Sequence, residues 1–145
     1  MERIWYQEPP SLDQVNQIGD GTLLSHMGIQ LTEMTENTLS GIMPVRKTTL
    51  QPAGLMHGGA SCVLAETLGS IASFLVVDRE KYQPVGQSLF TNHLKPGLLG
   101  DVIHGKASPL HIGKKSHIWE IPLFNQEGSK VSLNRLTVAI IEKRD

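Results

Sequence analysis

A single cysteine, Cys62, stands among the 145 residues, so no disulfide can close within the chain. That scarcity fits a reducing compartment. Net charge is equally scarce: 13 Lys and Arg against 14 Asp and Glu leave a formal −1. This removes the electrostatic case for nucleic acid as the main partner. The N-terminus, Met1-Glu-Arg-Ile-Trp5, carries no apolar run of signal-peptide length, and no segment reads as the ~20 apolar residues of a membrane span. The six histidines, His26, His57, His93, His104, His111 and His117, show no H-E-x-x-H or similar ligand spacing, so no metal site is expected. Repeats, low-complexity tracts and linkers are also missing. The chain therefore reads as one domain over residues 1–145 of a soluble cytoplasmic protein, long enough for a sizeable core.

What is present begins with helix punctuation. Ser11-Leu-Asp-Gln opens like a capped helix over Leu12 to Ile18, stopped by Gly19-Asp20-Gly21, and Thr22 to Met27 suits another helical turn. Ile29 to Met34 and Thr38 to Val45 then read as a hairpin around Glu36-Asn37, followed by a loop from Arg46 to Leu55. Gly58 to about Val77 is the one long helix, with Ala60, Val63, Leu64, Leu68, Ile71, Ala72 and Leu75 as its core stripe. Val85 to Lys95, Asp101 to Leu110, Ser116 to Phe124 and Lys130 to Glu142 read as long strands. Breaks are expected at Pro96-Gly97, His111-Ile-Gly113 and Gln126-Glu-Gly128. One long helix against a large antiparallel sheet is an α+β layer fold, with the sheet wrapped around the helix.

The densest chemistry lies in Gln51-Pro-Ala-Gly-Leu-Met-His57-Gly58-Gly59, where a loop runs into the helix that carries Glu66 and Ser70. A helix mouth offers unpaired N–H donors suited to a developing oxyanion. A carboxylate on the body of an apolar helix is costly to bury without a partner or a task. Together they suggest hydrolysis of an activated carbonyl. Glu66 and Ser70 lie about 40° apart on one face, with Gly59, Cys62 and Ser73 on the same small, polar stripe. Gly58 and Glu66 are eight residues apart, or about 12 Å along the axis. They cannot both touch one carbonyl, so a shared centre needs two chains. Two such helices packed antiparallel across a two-fold axis would make two equivalent sites.

The stretch Gln51 to Ser70 resembles the hotdog-fold thioesterases, in the branch that includes 4-hydroxybenzoyl-CoA thioesterase, the 1,4-dihydroxy-2-naphthoyl-CoA thioesterases and the phenylacetate-pathway thioesterases. The likeness extends to Met43-Pro-Val45, Asn92-His93, Leu110-His-Ile-Gly-Lys-Lys115 and Ser132-Leu-Asn-Arg-Leu-Thr137. It implies a hotdog fold and hydrolysis of acyl-CoA to acid and coenzyme A, with aromatic acyl groups favoured. No separate cofactor is implied, since coenzyme A is part of the substrate. It also implies a homodimer with shared sites, doubled to a tetramer. Glu66 would be nucleophile or general base, with Ser70 orienting it or a water. The Gly58 N–H would polarise the carbonyl, Gln51 would donate a second hydrogen bond, and His57 would bond the carbonyl oxygen or the leaving thiolate. Asn92, His93, Lys95, Gly113, Lys114 and Lys115 would serve the coenzyme A portion. Cys62 reads as a small buried hydrophobe.

Two departures from the resembled pattern bear on substrate. Ala53 stands where relatives often place an aromatic residue, and Ser88-Leu-Phe90 replaces a smaller polar run. The rival readings are an acyl-CoA hydratase or dehydratase, which needs a differently placed His with Asp or Asn, and a non-catalytic acyl-CoA-binding protein. The set Gln51, Gly58, Glu66 and Ser70 opposes both.

Overall fold

The computed structural model describes residues 2–144. Three helices and six strands run in the order α1 (Leu12–Ile18), α2 (Leu23–Met27), β1 (Gln30–Met34), β2 (Leu39–Pro44), α3 (Gly58–Val76), β3 (Tyr82–His93), β4 (Val102–Ile112), β5 (Ser116–Phe124) and β6 (Lys130–Glu142), with a single 3₁₀ turn at Lys47–Thr49. The strands form one antiparallel sheet in the order β1-β2-β4-β5-β6-β3. The α3 helix lies across its concave face and touches β2 to β6. This is the hotdog arrangement the sequence implies.

Local chemistry explains the boundaries. Ser11 caps α1 reciprocally: its Oγ accepts from the Gln14 N–H at 3.3 Å, while the Ser11 N–H donates to Gln14 Oε1 at 2.9 Å. Inward residues alternate along β2 and β5, so Leu39 and Met43 on one and His117, Trp119, Ile121 and Leu123 on the other are buried. The helix seats closely on the sheet. A Cβ on Gly69 would stand 2.5 Å from Leu136 Cδ2, and one on Gly105 would stand 2.7 Å from Leu68 Cδ1. Leu64, Leu68 and Ala72 are fully buried at this contact.

The structure revises four expectations. By length and composition α3 does qualify as a membrane span, with mean hydropathy 1.5. More than half of it is buried inside the sheet, which accounts for its apolarity. Ser73 leaves the polar stripe and is wholly buried, where Oγ accepts the Trp119 N–H at 2.8 Å and shares a 3.1 Å hydrogen bond with His117 Nδ1. Cys62, expected to be buried, is half-buried. His111 and Ile112 continue β4 instead of breaking it, because a register shift between Pro109 and His111 absorbs the proline.

Candidate active site

The mouth of α3 is built by a pinned loop. Leu50 and Met56 bridge across it, the Gln51 N–H donates to Leu55 O at 2.8 Å, and the Gly54 N–H donates to Gln51 O at 2.9 Å. Outside the loop, the His57 N–H donates to Thr49 O at 2.8 Å and the Met56 N–H to Gly97 O at 2.9 Å. The Ala53 N–H donates to Gln51 Oε1. That leaves the Gln51 NH₂ group to donate elsewhere.

His57 is the N-cap of α3, and its Nδ1 accepts from the Gly59 N–H at 2.8 Å. A neutral imidazole that accepts at Nδ1 carries its proton on Nε2. The exposed edge of the ring is therefore a donor. The Gly58 N–H makes no hydrogen bond among the described residues, and it sits at the positive end of a 19-residue helix. A Cβ on Gly58 would lie 2.8 Å from His93 Nε2, so the His93 ring rests against this glycine. Gln51, Gly58, His93 and Lys95 line one cleft of about 400 Å³, together with Met56 and Val131. Lys95 Nζ also donates to Ser129 Oγ at 3.4 Å.

A second cluster lies farther along α3. Glu66 is exposed and has no hydrogen-bond or ion-pair partner among the described residues. Its Oε1 lies 2.5 Å from where a Cβ on Gly86 would stand. Glycine thus lets the carboxylate lie over β3, at the bulge between Gly86 and Ser88. Ser70 is half-buried one turn on, and its hydroxyl makes no bond back to its own helix. Cys62 is half-buried, its Sγ 3.4 Å from Thr91 Oγ1. Beneath this part of the helix, burial and the neighbouring His111 push the His117 pKa down to about 4.

The remaining sequence-identified residues divide between these clusters. Gly113, Lys114 and Lys115 form the turn between β4 and β5. Ser116, which follows them, pairs with Ala139, and Ala139 pairs with Val85. The two lysines thus lie at the Gly86 end of the sheet, whereas His93 and Lys95 lie at the other. Asn92 parts from His93, because neighbours on a strand face opposite sides. It lines a shallow pocket on the outer face of the sheet with Phe90, Glu120 and Arg135. The structure adds what sequence reasoning missed: an apolar pocket of about 350 Å³ in which Ser70 meets Val15, Leu24, Ile71, Phe74 and Leu75. The spacing Glu66, Ser70, Phe74, one residue every four, is the signal that would have found its wall.

The Thioesterase superfamily profile matches residues 53–132, which takes in the helix mouth, Glu66 and Ser70. The chain belongs to the thioesterase superfamily. Similar proteins include a Vibrio cholerae protein provisionally named an esterase, 43% identical over 141 residues, or 97% of this chain and 92% of that one. The 1,4-dihydroxy-2-naphthoyl-CoA hydrolase of Escherichia coli is 37% identical over 131 residues, or 90% of this chain and 95% of that one. The crystal structure of a mutant thioesterase from Pseudomonas aeruginosa matches at TM-score 0.92 and 37% identity, over 97% of this chain and 99% of that one. This thioesterase is a thioester hydrolase on a hotdog fold, with its candidate chemistry at the mouth of α3 and on the open stripe of that helix.

Proposed function

We propose that the thioesterase hydrolyses acyl-CoA to the free acid and coenzyme A, in a homodimer whose two centres each draw on both chains. The observation that carries this reading is the division of the site. Oxyanion donors and Lys95 gather at one end of β3, and Glu66, Ser70, Lys114 and Lys115 at the other. β3 is an edge strand of twelve residues with no lysine to blunt it. If it pairs antiparallel with the β3 of a second copy about its middle, near Leu89 and Phe90, the His93 end of one strand falls beside the Gly86 end of the other. Gly58 of one protomer then approaches the partner's Glu66, and Lys95 joins the partner's lysine turn around one coenzyme A. The dimer doubles to a tetramer.

At each centre the Gly58 N–H, the Gln51 amide and His57 Nε2–H face the thioester oxygen, where negative charge develops. Glu66 acts in one of two ways. As general base it takes a proton from a water that attacks the carbonyl carbon, and the tetrahedral intermediate collapses to acid and coenzyme A thiolate, which is then protonated. As nucleophile it attacks the carbon itself, expels the thiolate as a mixed anhydride forms, and water then hydrolyses the anhydride. Ser70 holds the water or the carboxylate.

The acyl group runs from Glu66 past Ser70 into the apolar pocket. The apolar walls, with the Phe74 ring among them, suit aromatic acyl groups such as hydroxybenzoyl, and the likeness to the Escherichia coli hydrolase favours 1,4-dihydroxy-2-naphthoyl-CoA. A thiol-release assay over benzoyl-, hydroxybenzoyl-, dihydroxynaphthoyl-, phenylacetyl- and fatty acyl-CoA tests the reading. Turnover of none, or undiminished turnover by Glu66→Ala, overturns it.

A further inference from the structure

Phe74 stands one turn beyond Ser70 on α3. A helical side chain leans toward the N-terminus of its helix, over residues three and four positions earlier. The ring therefore lies over Ile71 and Ser70, and it walls two spaces at once. On one side is the apolar pocket of about 350 Å³, shared with Val15, Leu24, Ile71 and Leu75. On the other is a cleft of about 440 Å³ lined by Tyr6, Gln7, Asp78, Arg79 and Glu80. The Arg79 guanidinium carbon lies 5.2 Å from the centroid of the Phe74 ring, within cation–π range. The far side is charged and internally bonded: the Tyr6 hydroxyl donates to Asp78 at 3.0 Å, and Lys81 pairs with the same carboxylate at 3.0 Å. An apolar tail that passed the ring would leave apolar walls for an ionic cleft.

Resting on the acyl-CoA reading, we propose that Phe74 is the back wall of the acyl pocket, held in place by Arg79, and that the pair sets the length of acyl group hydrolysed. Phe74 is eight residues beyond Glu66, about 12 Å along the axis. The ring and the Glu66 side chain both lean back by about the same amount, so roughly 12 Å separates the carboxylate from the wall. That span takes one ring, two fused rings or a medium aliphatic tail, and stops a long straight chain. Arg79 is a positioning residue, and it acts only through the ring.

Wild type, Phe74→Ala, Phe74→Trp and Arg79→Gln are compared on benzoyl-, hexanoyl-, dodecanoyl- and hexadecanoyl-CoA, with kcat and KM measured separately. Phe74→Ala is expected to raise the dodecanoyl-to-hexanoyl ratio of kcat/KM about tenfold or more, carried by KM. Phe74→Trp is expected to lower that ratio, and Arg79→Gln to raise it about 2- to 5-fold by freeing the ring. An active wild type whose ratio stays within twofold in both Phe74 variants overturns the wall while leaving the acyl-CoA reading intact. A wild type that hydrolyses none of the four, nor the aromatic esters above, removes that reading and the wall with it. Should Phe74→Ala fail to fold, Phe74→Trp and Arg79→Gln decide: opposite shifts support the wall, and two unchanged ratios overturn it.

Discussion

Two dead enzymes should make a live one. In the proposed dimer each centre takes its oxyanion donors from one chain and its carboxylate from the other. Glu66→Ala removes the carboxylate, a loss of about 10²–10⁴ in rate for a group in proton transfer. Gly58→Val places side-chain atoms where the His93 ring now stands, 2.8 Å from the Cβ position, and so obstructs the N–H donor at a cost of about 10²–10³. Each parent alone is expected near or below 1% of wild type. Mixed in equal amounts with random re-pairing, half of the dimers are heterodimers. In each of these, one centre joins the intact Gly58 of the Glu66→Ala chain to the intact Glu66 of the Gly58→Val chain, and the other centre carries both lesions. The mixture should therefore recover about a quarter of wild-type activity. Co-expression of two differently tagged chains and purification through both tags isolate the heterodimer, for which a thiol-release assay should read about half of wild-type activity. A heterodimer that stays at the level of its parents refutes the shared centre, because a site contained in one chain can never be restored by a partner. Gln51→Ala in place of Gly58→Val repeats the test without altering a glycine.

Glu66→Gln should lower kcat by about 10²–10⁴ while leaving the dimer intact by light scattering, since the exposed carboxylate has no partner among the described residues in the chain. Gly69→Ala should destabilise the fold by about 1–3 kcal/mol in urea unfolding, because its Cβ would stand 2.5 Å from Leu136 Cδ2 and 3.1 Å from Ile121 Cδ1. Stability should also fall in mild acid. His117 has a pKa of about 4 when folded against about 6.5 when unfolded, so the unfolded chain takes up a proton first as pH drops. The contribution is fully present above about pH 6.5, declines between about 6.5 and 4, and amounts to about 2 kcal/mol lost between pH 7.5 and pH 5. Urea unfolding at both values, with His117→Gln as the control that flattens this slope, measures it.

Much of the fold was legible because the deciding interactions are local. Ser11 and Gln14 cap each other within one turn, and the bounds expected for α1 are the bounds observed. Alternation along Trp119, Ile121 and Leu123 marked β5 because one face of that strand is buried and the other is not. Prolines misled where tertiary position overrides them. β3 starts at Tyr82 and not at Val85, since Pro84 lies on an edge strand, where a missing N–H is tolerated. Ser73 could not be assigned from the helix alone. Its direction is set by Trp119, whose buried N–H needs an acceptor, and that partner lies 46 positions away. The site divides in the same manner. Gln51, His57, Gly58, Glu66 and Ser70 sit in one contiguous stretch, in which a loop feeds a helix whose spacing places Glu66 and Ser70. The ring of His93 against Gly58 and the packing of α1 and α2 that closes the pocket beside Phe74 are long-range products of folding that no periodicity announces.

The exposure of Glu66 in a single chain is the strongest physical reason to place its chemistry at an interface. A carboxylate works as base or nucleophile through the groups that surround it at the reacting centre. Catalytic carboxylates gain strength by leaving water, which raises their proton affinity and sharpens every field around them. Gly86 lies against Glu66, and a glycine offers neither charge nor apolar cover. The cover has to come from outside, and the uncapped edge of β3 passes directly beneath the same carboxylate. In the proposed dimer, pairing at that edge would desolvate Glu66 and deliver a helix mouth to it in one step. A chain kept monomeric should thus lose its activity even with every site residue present and the fold intact. A proline scan along β3, read by light scattering, circular dichroism and thiol release together, checks this: variants that remain folded but fail to associate should be inactive, and a single folded, active monomer would show that Glu66 finds its environment within one chain.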